Sequence, residues 1–218
     1  MRHFVLILLI CALASPAAAC DVALLLAVDV SGSISSGEYT LQMQGLAEAL
    51  QVDDIIKALV AGQDELALVQ WSGSGYQQFS LPWVRIGTVA DVAGLAAVIR
   101  TKPRPGNYTD TAIGQAVHFS IAQFAAVPEC RRHVIDVSGD GEENDGMTLS
   151  AARAEAKALG DTVNGVAIET GAGTTRLTDY YRQFVATTDG FVMTAEGLQD
   201  FPRAIHAKLL RELTKPVS

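Results

Sequence analysis

The sequence predicts an α/β domain with a doubly wound, mostly parallel sheet of six strands in the order 3-2-1-4-5-6, flanked by helices. Two observations carry this prediction. Segments of strand length alternate with segments of helical periodicity along the chain, without an internal repeat or a linker. The first strand, residues 22–30, is apolar except for Asp29, which is typical of a parallel strand buried on both faces.

The other five strands follow from short apolar runs bounded by turn residues. We expect them at residues 65–71, 77–81, 133–137, 162–168 and 191–194. The run 77–81 reads as an antiparallel edge strand. Pro82 is expected to stop that strand because proline lacks the N–H group that a central ladder needs.

Seven segments carry apolar residues at helical spacing. They cover residues 35–50, 53–61, 88–99, 113–124, 148–159, 177–185 and 198–213. Ser35 and Glu38 offer an N-terminal cap for the first helix. Thr88 or Asp91 can cap the third, and Gly160 is a suitable C-terminal stop for the fifth.

Residues 1–19 have the organisation of a secretory signal peptide. Arg2 gives a positive start, an apolar stretch follows, and three alanines at 17–19 form a small-residue cleavage site. An uncleaved N-terminal anchor is the alternative, although the stretch is short for a membrane span. The remaining chain, 20–218, is expected to be one exported domain, periplasmic or secreted, with no further membrane span.

The charge of the chain is acidic. Its formal net charge is −8, and loss of Arg2 with the signal peptide would make it −9. Such a surface repels nucleic acid and anionic lipid, so neither is an expected partner. It suits a soluble, monomeric exported protein that binds cations or other proteins.

Two cysteines, Cys20 and Cys130, lie outside the signal peptide. Each precedes a predicted strand, nine residues before Asp29 and ten before Asp140 respectively. If those strands are parallel neighbours, both thiols lie at the same end of the sheet, and we predict a disulfide in an oxidising compartment. The alternative is a lipoprotein acylated at Cys20, although Ala17 stands where such signals usually carry a bulky aliphatic residue.

Hard oxygen donors cluster after the first and fourth predicted strands. Ligands of open α/β sheets bind at the carboxyl ends of the strands, where the strand order reverses. Hydroxyls and carboxylates without sulfur or imidazole favour Mg²⁺ or Mn²⁺. Two carboxylates only balance the charge of the ion, so it can still accept an anionic oxygen from a partner's Glu or Asp. The candidate metal ligands are Asp29, Ser31, Ser33, Thr109 and Asp140.

These residues resemble the metal-ion-dependent adhesion site (MIDAS) of von Willebrand factor type A (VWA) domains. The motifs are D-x-S-x-S from Asp29, G-N-Y-T-D-T-A-I-G around Thr109, and S-G-D-G-E around Asp140. The resemblance covers the chain from Cys20 to about Leu213. The phrases A-V-D-V-S-G-S and V-I-D-V-S-G-D-G-E-E-N also resemble an exported bacterial VWA group, a domain of unknown function.

The resemblance implies a role for each donor. Ser31, Ser33 and Thr109 would ligate the ion directly or through water, while Asp29 and Asp140 would orient waters or hydroxyls and balance charge. The implied function is a binding module whose cation engages an acidic residue of a protein partner. One departure is Gly139, which stands where the family often has a threonine.

Several alternatives remain at the sequence level. Asp110 or Thr111 could replace Thr109 as ligand, and the acidic segment 140–146 could form a separate calcium loop. Glu142, Glu143 and Asp145 otherwise read as a solvated rim. A metal-dependent hydrolase and a scaffold whose site never fills are the competing functions. No G-x-S-x-G, P-loop or dinucleotide motif is present, so we expect no enzyme.

Overall fold

The computed structural model describes residues 20–106, 109–146, 148–171 and 176–214. The predicted signal peptide, 1–19, lies outside the described residues. Within them, the chain forms one sheet whose strand order is 3-2-1-4-5-6, as predicted. The strands are β1 (Val22–Asp29), β2 (Glu65–Trp71), β3 (Gln77–Arg85), β4 (Arg132–Gly139), β5 (Thr162–Ile168) and β6 (Val192–Ala195).

The sheet is parallel except for β3, which pairs antiparallel with β2. β1 lies at the centre between β2 and β4, with Asp29 opposite Trp71 and Val28 opposite Ser138. The carboxyl ends of β1 and β4 therefore meet at the point where the strand order reverses. This arrangement places the residues that follow both strands at one edge of the sheet.

Helices cover both faces of the sheet. They are α1 (Ser36–Leu50), α2 (Asp53–Gly62), α3 (Val89–Arg100), α4 (Ile113–Gln123), α5 (Leu149–Leu159), α6 (Leu177–Tyr180) and α7 (Phe201–Thr214). The Ser35–Glu38 and Thr88–Asp91 pairs both form reciprocal caps, because each hydroxyl and each carboxylate accepts a backbone N–H of the other residue. α6 continues as a π-helical turn, Tyr181–Val185.

Alternate residues of β1 pack into two separate cores. Leu24 and Leu26 face one layer of helices, and Leu25 and Ala27 face the other. All eight residues of β1 are buried. This two-sided burial explains the apolar run of the sequence, and it makes the charged Asp29 at the end of the strand conspicuous.

Two strand ends differ from the sequence prediction by more than one residue. β3 does not stop at Pro82 but continues to Arg85, since an edge strand leaves one side unpaired and tolerates a missing N–H. β4 does not end at Val137 but extends through Ser138 and Gly139, which pair with Val166 and Ala167 of β5. Asp140 therefore follows the strand directly.

Cys20 and Cys130 are joined by a disulfide, as predicted. The bond ties the residue before β1 to the turn before β4, and the backbone N–H of Arg131 also donates to the carbonyl of Cys20 over 2.9 Å. The two strands that carry Asp29 and Asp140 are thus fastened at the end of the sheet opposite those residues. In the part of the chain that the structure describes, no helix combines the length and apolarity that crossing a membrane requires.

Candidate metal centre

Asp29, one of the candidate ligands, is fully buried, with an exposure of 0%. Its Oδ1 accepts the backbone N–H of Ser31 over 2.7 Å, which folds the chain back sharply after β1. Its Oδ2 is buried and has no hydrogen-bond partner among the described residues. Burial raises the pKa of the carboxyl group to about 7, against the smaller opposing effect of the Ser31 hydrogen bonds.

A short chain of hydrogen bonds links the two serines to Asp140. The Ser33 hydroxyl donates to Asp140 Oδ1 over 2.5 Å. The Ser31 and Ser33 hydroxyls are 3.2 Å apart, and either oxygen can be the donor of that pair. The lone pairs of both oxygens therefore remain available to a cation.

Asp140 is half-buried at the start of the loop that follows β4. Burial raises the pKa of its carboxyl group, the Ser33 hydrogen bond lowers it, and the negative charge of Glu38 raises it again. A divalent cation would relieve the repulsion between these acids. The site thus combines two carboxylates with an oxygen atom, Asp29 Oδ2, that has no partner among the described residues. A bound cation stabilises such an arrangement.

The donor set fits a hard cation. It contains two carboxylates and two hydroxyls, and the described residues include no group of three or more His, Cys, Asp or Glu placed to hold a metal. Sites for softer metals usually combine imidazole, thiolate and carboxylate ligands. Mg²⁺ or Mn²⁺ matches the all-oxygen set, with water completing the coordination.

Thr109 lies on the same edge of the sheet but outside this hydrogen-bond chain. Its hydroxyl donates to Asp110 Oδ2 over 3.2 Å and, within the described ranges, forms no hydrogen bond to Ser33 or Asp140. Its segment is attached to the end of β2, because the Ser72 hydroxyl donates to the Asp110 carbonyl over 2.7 Å. Thr109 also borders a cavity of about 360 Å³.

Thr111, the alternative ligand, is buried beside the loop that follows Asp140. Its backbone N–H donates to Asn144 Oδ1 over 2.8 Å, and its carbonyl accepts the Asn144 N–H over 2.9 Å. It does not act as the N-cap of α4, because Ala112 occupies that position. Thr109 as the ligand, rather than Asp110 or Thr111, stays a prediction.

The acidic loop is structural, which corrects the interpretation of Glu143 and Asp145 as a solvated rim. Glu143 accepts the N–H of Gly114 over 2.6 Å and that of Leu149 over 3.2 Å, so one carboxylate caps the first turns of both α4 and α5. Asp145 accepts the N–H of Ser74 over 2.7 Å. Since these oxygens already serve backbone donors, the loop is poorly suited to a separate calcium site.

Sequence reasoning missed Arg104, which braces the first ligand loop. Its Nη2 donates to the carbonyls of Val30 and Ser31, each over 3.0 Å. The guanidinium also lowers the pKa of Asp29 by a small amount. In the sequence, Arg104 is recognisable only as a basic residue between two prolines. That pattern does not reveal a contact with a loop more than seventy residues earlier in the chain.

Sequence reasoning also missed Tyr181, which it placed only within the helical segment 177–185. The side chain is fully buried and packs over two glycines of the sheet. A Cβ atom on Gly165 would lie 2.7 Å from Tyr181 Cδ1, and one on Gly139 would lie 2.6 Å from the Tyr181 hydroxyl oxygen. Because residue 139 is a glycine, the Tyr181 hydroxyl has room to lie next to it at the site.

Structural comparison places this architecture among VWA domains. The chain is similar to proximal thread matrix protein 1 from the mussel byssus, with a TM-score of 0.65 and 22% identity over 90% of this chain and 49% of that one. Another structure of the mussel protein, with the same values, is described as having a zinc-occupied MIDAS motif. At this identity the likeness shows the fold alone.

Two bacterial structures are similar as well. A von Willebrand factor type A protein from Catenulispora acidiphila gives a TM-score of 0.66 at 13% identity, covering 91% of this chain and 44% of that one. The pilus adhesin SpaC from Lactobacillus rhamnosus GG gives 0.65 at 13% identity, covering 88% and 31%. The chain spans less than half the length of each of these structures.

The family assignment comes from the sequence comparison. No curated protein matches the chain. The model of the family described as "Protein of unknown function (DUF1194)" matches residues 19–217, which is nearly the whole chain. The chain therefore belongs to the DUF1194 family, and its fold is that of a von Willebrand factor type A domain.

Proposed function

We propose that this chain is an exported binding module that holds Mg²⁺ or Mn²⁺ and, through the ion, binds a Glu or Asp side chain of a protein partner. The observation that carries the proposal is the hydrogen-bond chain from Ser31 through Ser33 to Asp140 beside the buried, unpartnered Asp29 Oδ2. The proposed ligands are Asp29, Ser31, Ser33, Thr109 and Asp140.

Each group has a distinct role in this proposal. The Ser31 and Ser33 hydroxyls bind the ion, with Thr109 as the third hydroxyl ligand. Asp29 and Asp140 neutralise its charge and orient its waters. When bound, the ion supplies a Lewis-acidic position that attracts one more anionic oxygen, because the carboxylates of the site balance its charge without exceeding it.

The surroundings of the site support binding rather than catalysis. The three histidines of the described chain pair with carboxylates elsewhere. His118 contacts Glu155, His133 contacts Asp161, and His206 contacts Asp54, at distances of 2.6 Å, 3.1 Å and 3.2 Å. None of them is hydrogen-bonded to a candidate ligand, so none is placed as a general base for metal-bound water.

The comparisons support the same reading. SpaC is described as a pilus adhesin, and the mussel protein is described with zinc at its MIDAS motif. We infer that the present site likewise holds a divalent ion, with Mg²⁺ or Mn²⁺ preferred because its proposed ligands are all oxygens. Export is proposed from the residues 1–19 and from the Cys20–Cys130 disulfide.

The test is a selection of displayed peptides on the oxidised protein in Mg²⁺, followed by rebinding in chelator. We expect the selected peptides to share an Asp or Glu, and to lose binding in chelator or when that residue becomes Asn or Gln. Asp140→Asn should abolish binding, whereas the exposed Asp53→Asn should not. Peptides that bind equally in chelator, or without a carboxylate, would overturn the proposal.

A further inference from the structure

Two buried polar atoms near the site lack a hydrogen-bond partner among the described residues. One is Asp29 Oδ2, and the other is the hydroxyl oxygen of Tyr181. Both side chains have an exposure of 0%. Buried polar groups are nearly always satisfied in folded proteins, so a pair of unpartnered atoms at one place calls for a physical reason.

The two atoms face the same point. A Cβ atom built on Gly139 would lie 2.6 Å from the Tyr181 hydroxyl oxygen and 2.9 Å from Asp29 Oδ2. Any side chain at 139 would therefore collide with both atoms. The glycine therefore leaves a donor and an acceptor beside one small space, where one water can bridge them or where they can form a direct hydrogen bond once the side chains move together.

The backbone around Tyr181 holds its hydroxyl in this place. Tyr181 begins the π-helical turn that ends at Val185, and such turns are often found at functional sites. Its neighbour Tyr180 accepts the backbone N–H of Glu143 over 3.2 Å, which ties the segment to the loop that follows Asp140. The tyrosine segment and the ligand loop are thus fixed to each other.

We propose that Tyr181 is a positioning residue of the metal centre, whose hydroxyl donates to Asp29 Oδ2, directly or through one water, when the cation is bound. The inference rests on the proposed function. The tyrosine hydroxyl is the donor because an ionised carboxylate can only accept a hydrogen bond. The bond fixes the Asp29 carboxylate in one orientation, so that its charge is directed at the ion.

If Tyr181 positions Asp29, its replacement should change the affinity for the cation but should not lower the stability without cation. A tyrosine with a purely structural role would not show this difference. Without cation, the hydroxyl is an unpartnered buried group, so Tyr181→Phe should leave the stability of the protein unchanged or raise it. With cation, the same variant loses a hydrogen bond to a charged carboxylate. We therefore expect its dissociation constant for Mn²⁺ to rise about tenfold.

The experiment compares wild type, Tyr181→Phe and Ser120→Ala. Mn²⁺ titration gives the dissociation constant of each, and urea unfolding in chelator gives the stability without cation. Ser120→Ala is the control because it removes a buried hydroxyl that donates to the carbonyl of Ala116 in its own helix, α4, over 2.7 Å and not to a candidate ligand. Its dissociation constant should stay within about twofold of wild type.

Three results would overturn the inference. Wild-type affinity in Tyr181→Phe would show that the hydroxyl does not act on the site, while the proposed function would stand. A loss of stability of Tyr181→Phe in chelator would show an ordinary structural hydrogen bond. Absence of Mn²⁺ binding in wild type would overturn both this inference and the proposed function.

Discussion

Ser33 donates a 2.5 Å hydrogen bond to the carboxylate of Asp140, although 107 positions separate the two residues in the chain. The contact exists because β1 and β4 are parallel neighbours, so that the residues following both strands meet at one edge of the sheet. It brings together two halves of the candidate ligand set. The fold itself therefore places Ser33 beside Asp140.

Replacement of Ser33 by alanine should weaken Mn²⁺ binding at least tenfold, because it removes a ligand and also frees Asp140 from its hydrogen bond. The side chain is exposed, so the unfolding free energy should change little. Isothermal titration calorimetry and urea unfolding measure the two quantities. Ser36→Ala, at the exposed start of α1, is the control, and equal affinities of the two variants would contradict the expectation.

The stability of the protein should decrease with rising pH because of Asp64. This buried carboxyl group accepts the N–H of Val22 over 2.9 Å, and burial raises its pKa from 3.8 to about 7. The folded state therefore retains a proton that the unfolded state releases. The resulting stabilisation is complete below pH 3.8 and is lost as the pH rises through about 7.

Asp64→Asn removes this titration and keeps an oxygen that accepts the Val22 N–H. Urea unfolding at pH 5 and pH 8, both in chelator, gives the stability of wild type relative to the variant at each pH. We expect that relative stability to be lower at pH 8. A difference that is the same at both values would show that Asp64 does not titrate in this range.

The Cys20–Cys130 disulfide should contribute about 4–5 kcal/mol to the unfolding free energy, since it closes a long loop in the unfolded chain. The two cysteines are 110 positions apart. The double variant Cys20→Ser/Cys130→Ser should show this loss in urea unfolding under oxidising conditions. In reducing buffer, wild type should approach the variant, and an unchanged difference would contradict the disulfide as its cause.

Lys208 of α7 is fully buried between two carboxylates. Its Nζ lies 2.6 Å from Asp136 Oδ1 of β4 and 2.5 Å from Glu212 Oε1. Lys208→Met keeps the aliphatic length but leaves both acids without their cation, which should cost about 3–5 kcal/mol. The loss should be larger at pH 8 than at pH 5, because burial raises the pKa of both carboxyl groups and Lys208 opposes that rise, so that without the lysine the acids can be protonated at the lower pH.

Lys57→Met is the matched control for Lys208→Met. Lys57 is exposed on α2, so its replacement should change the unfolding free energy by no more than about 0.5 kcal/mol. Similar losses in the two variants would show that the buried ion pairs are not important for stability.

Buried strands could be predicted from the sequence, whereas edges and strand ends could not. β2 and β5 have the predicted bounds because continuous apolar runs leave little choice for a strand buried on both faces. The prediction that Pro82 ends β3 was wrong, because proline interrupts a strand only where a neighbouring strand needs the N–H group that proline lacks. β4 runs two residues past its predicted end because Ser138 and Gly139, which follow the apolar run, still pair with β5.

The candidate site was predictable where local spacing determines it. D-x-S-x-S at the end of a buried strand places three side chains at the sheet edge, and the structure joins Ser33 to Asp140 there. Arg104 and Tyr181 were not predictable because their contacts with the site depend on tertiary packing. At Gly139 the sequence indicated only the absence of the threonine that the family often has there. The structure shows that the glycine leaves room for the Tyr181 hydroxyl.

Titration of the oxidised protein with Mn²⁺ and Mg²⁺, comparing wild type with Asp29→Asn, tests the central claim most directly. The substitution keeps an oxygen that accepts the Ser31 N–H over the 2.7 Å contact but removes the buried charge. The account predicts saturable binding at one site in wild type and its loss in the variant. No binding in wild type, or equal binding in both proteins, would contradict a metal centre at Asp29.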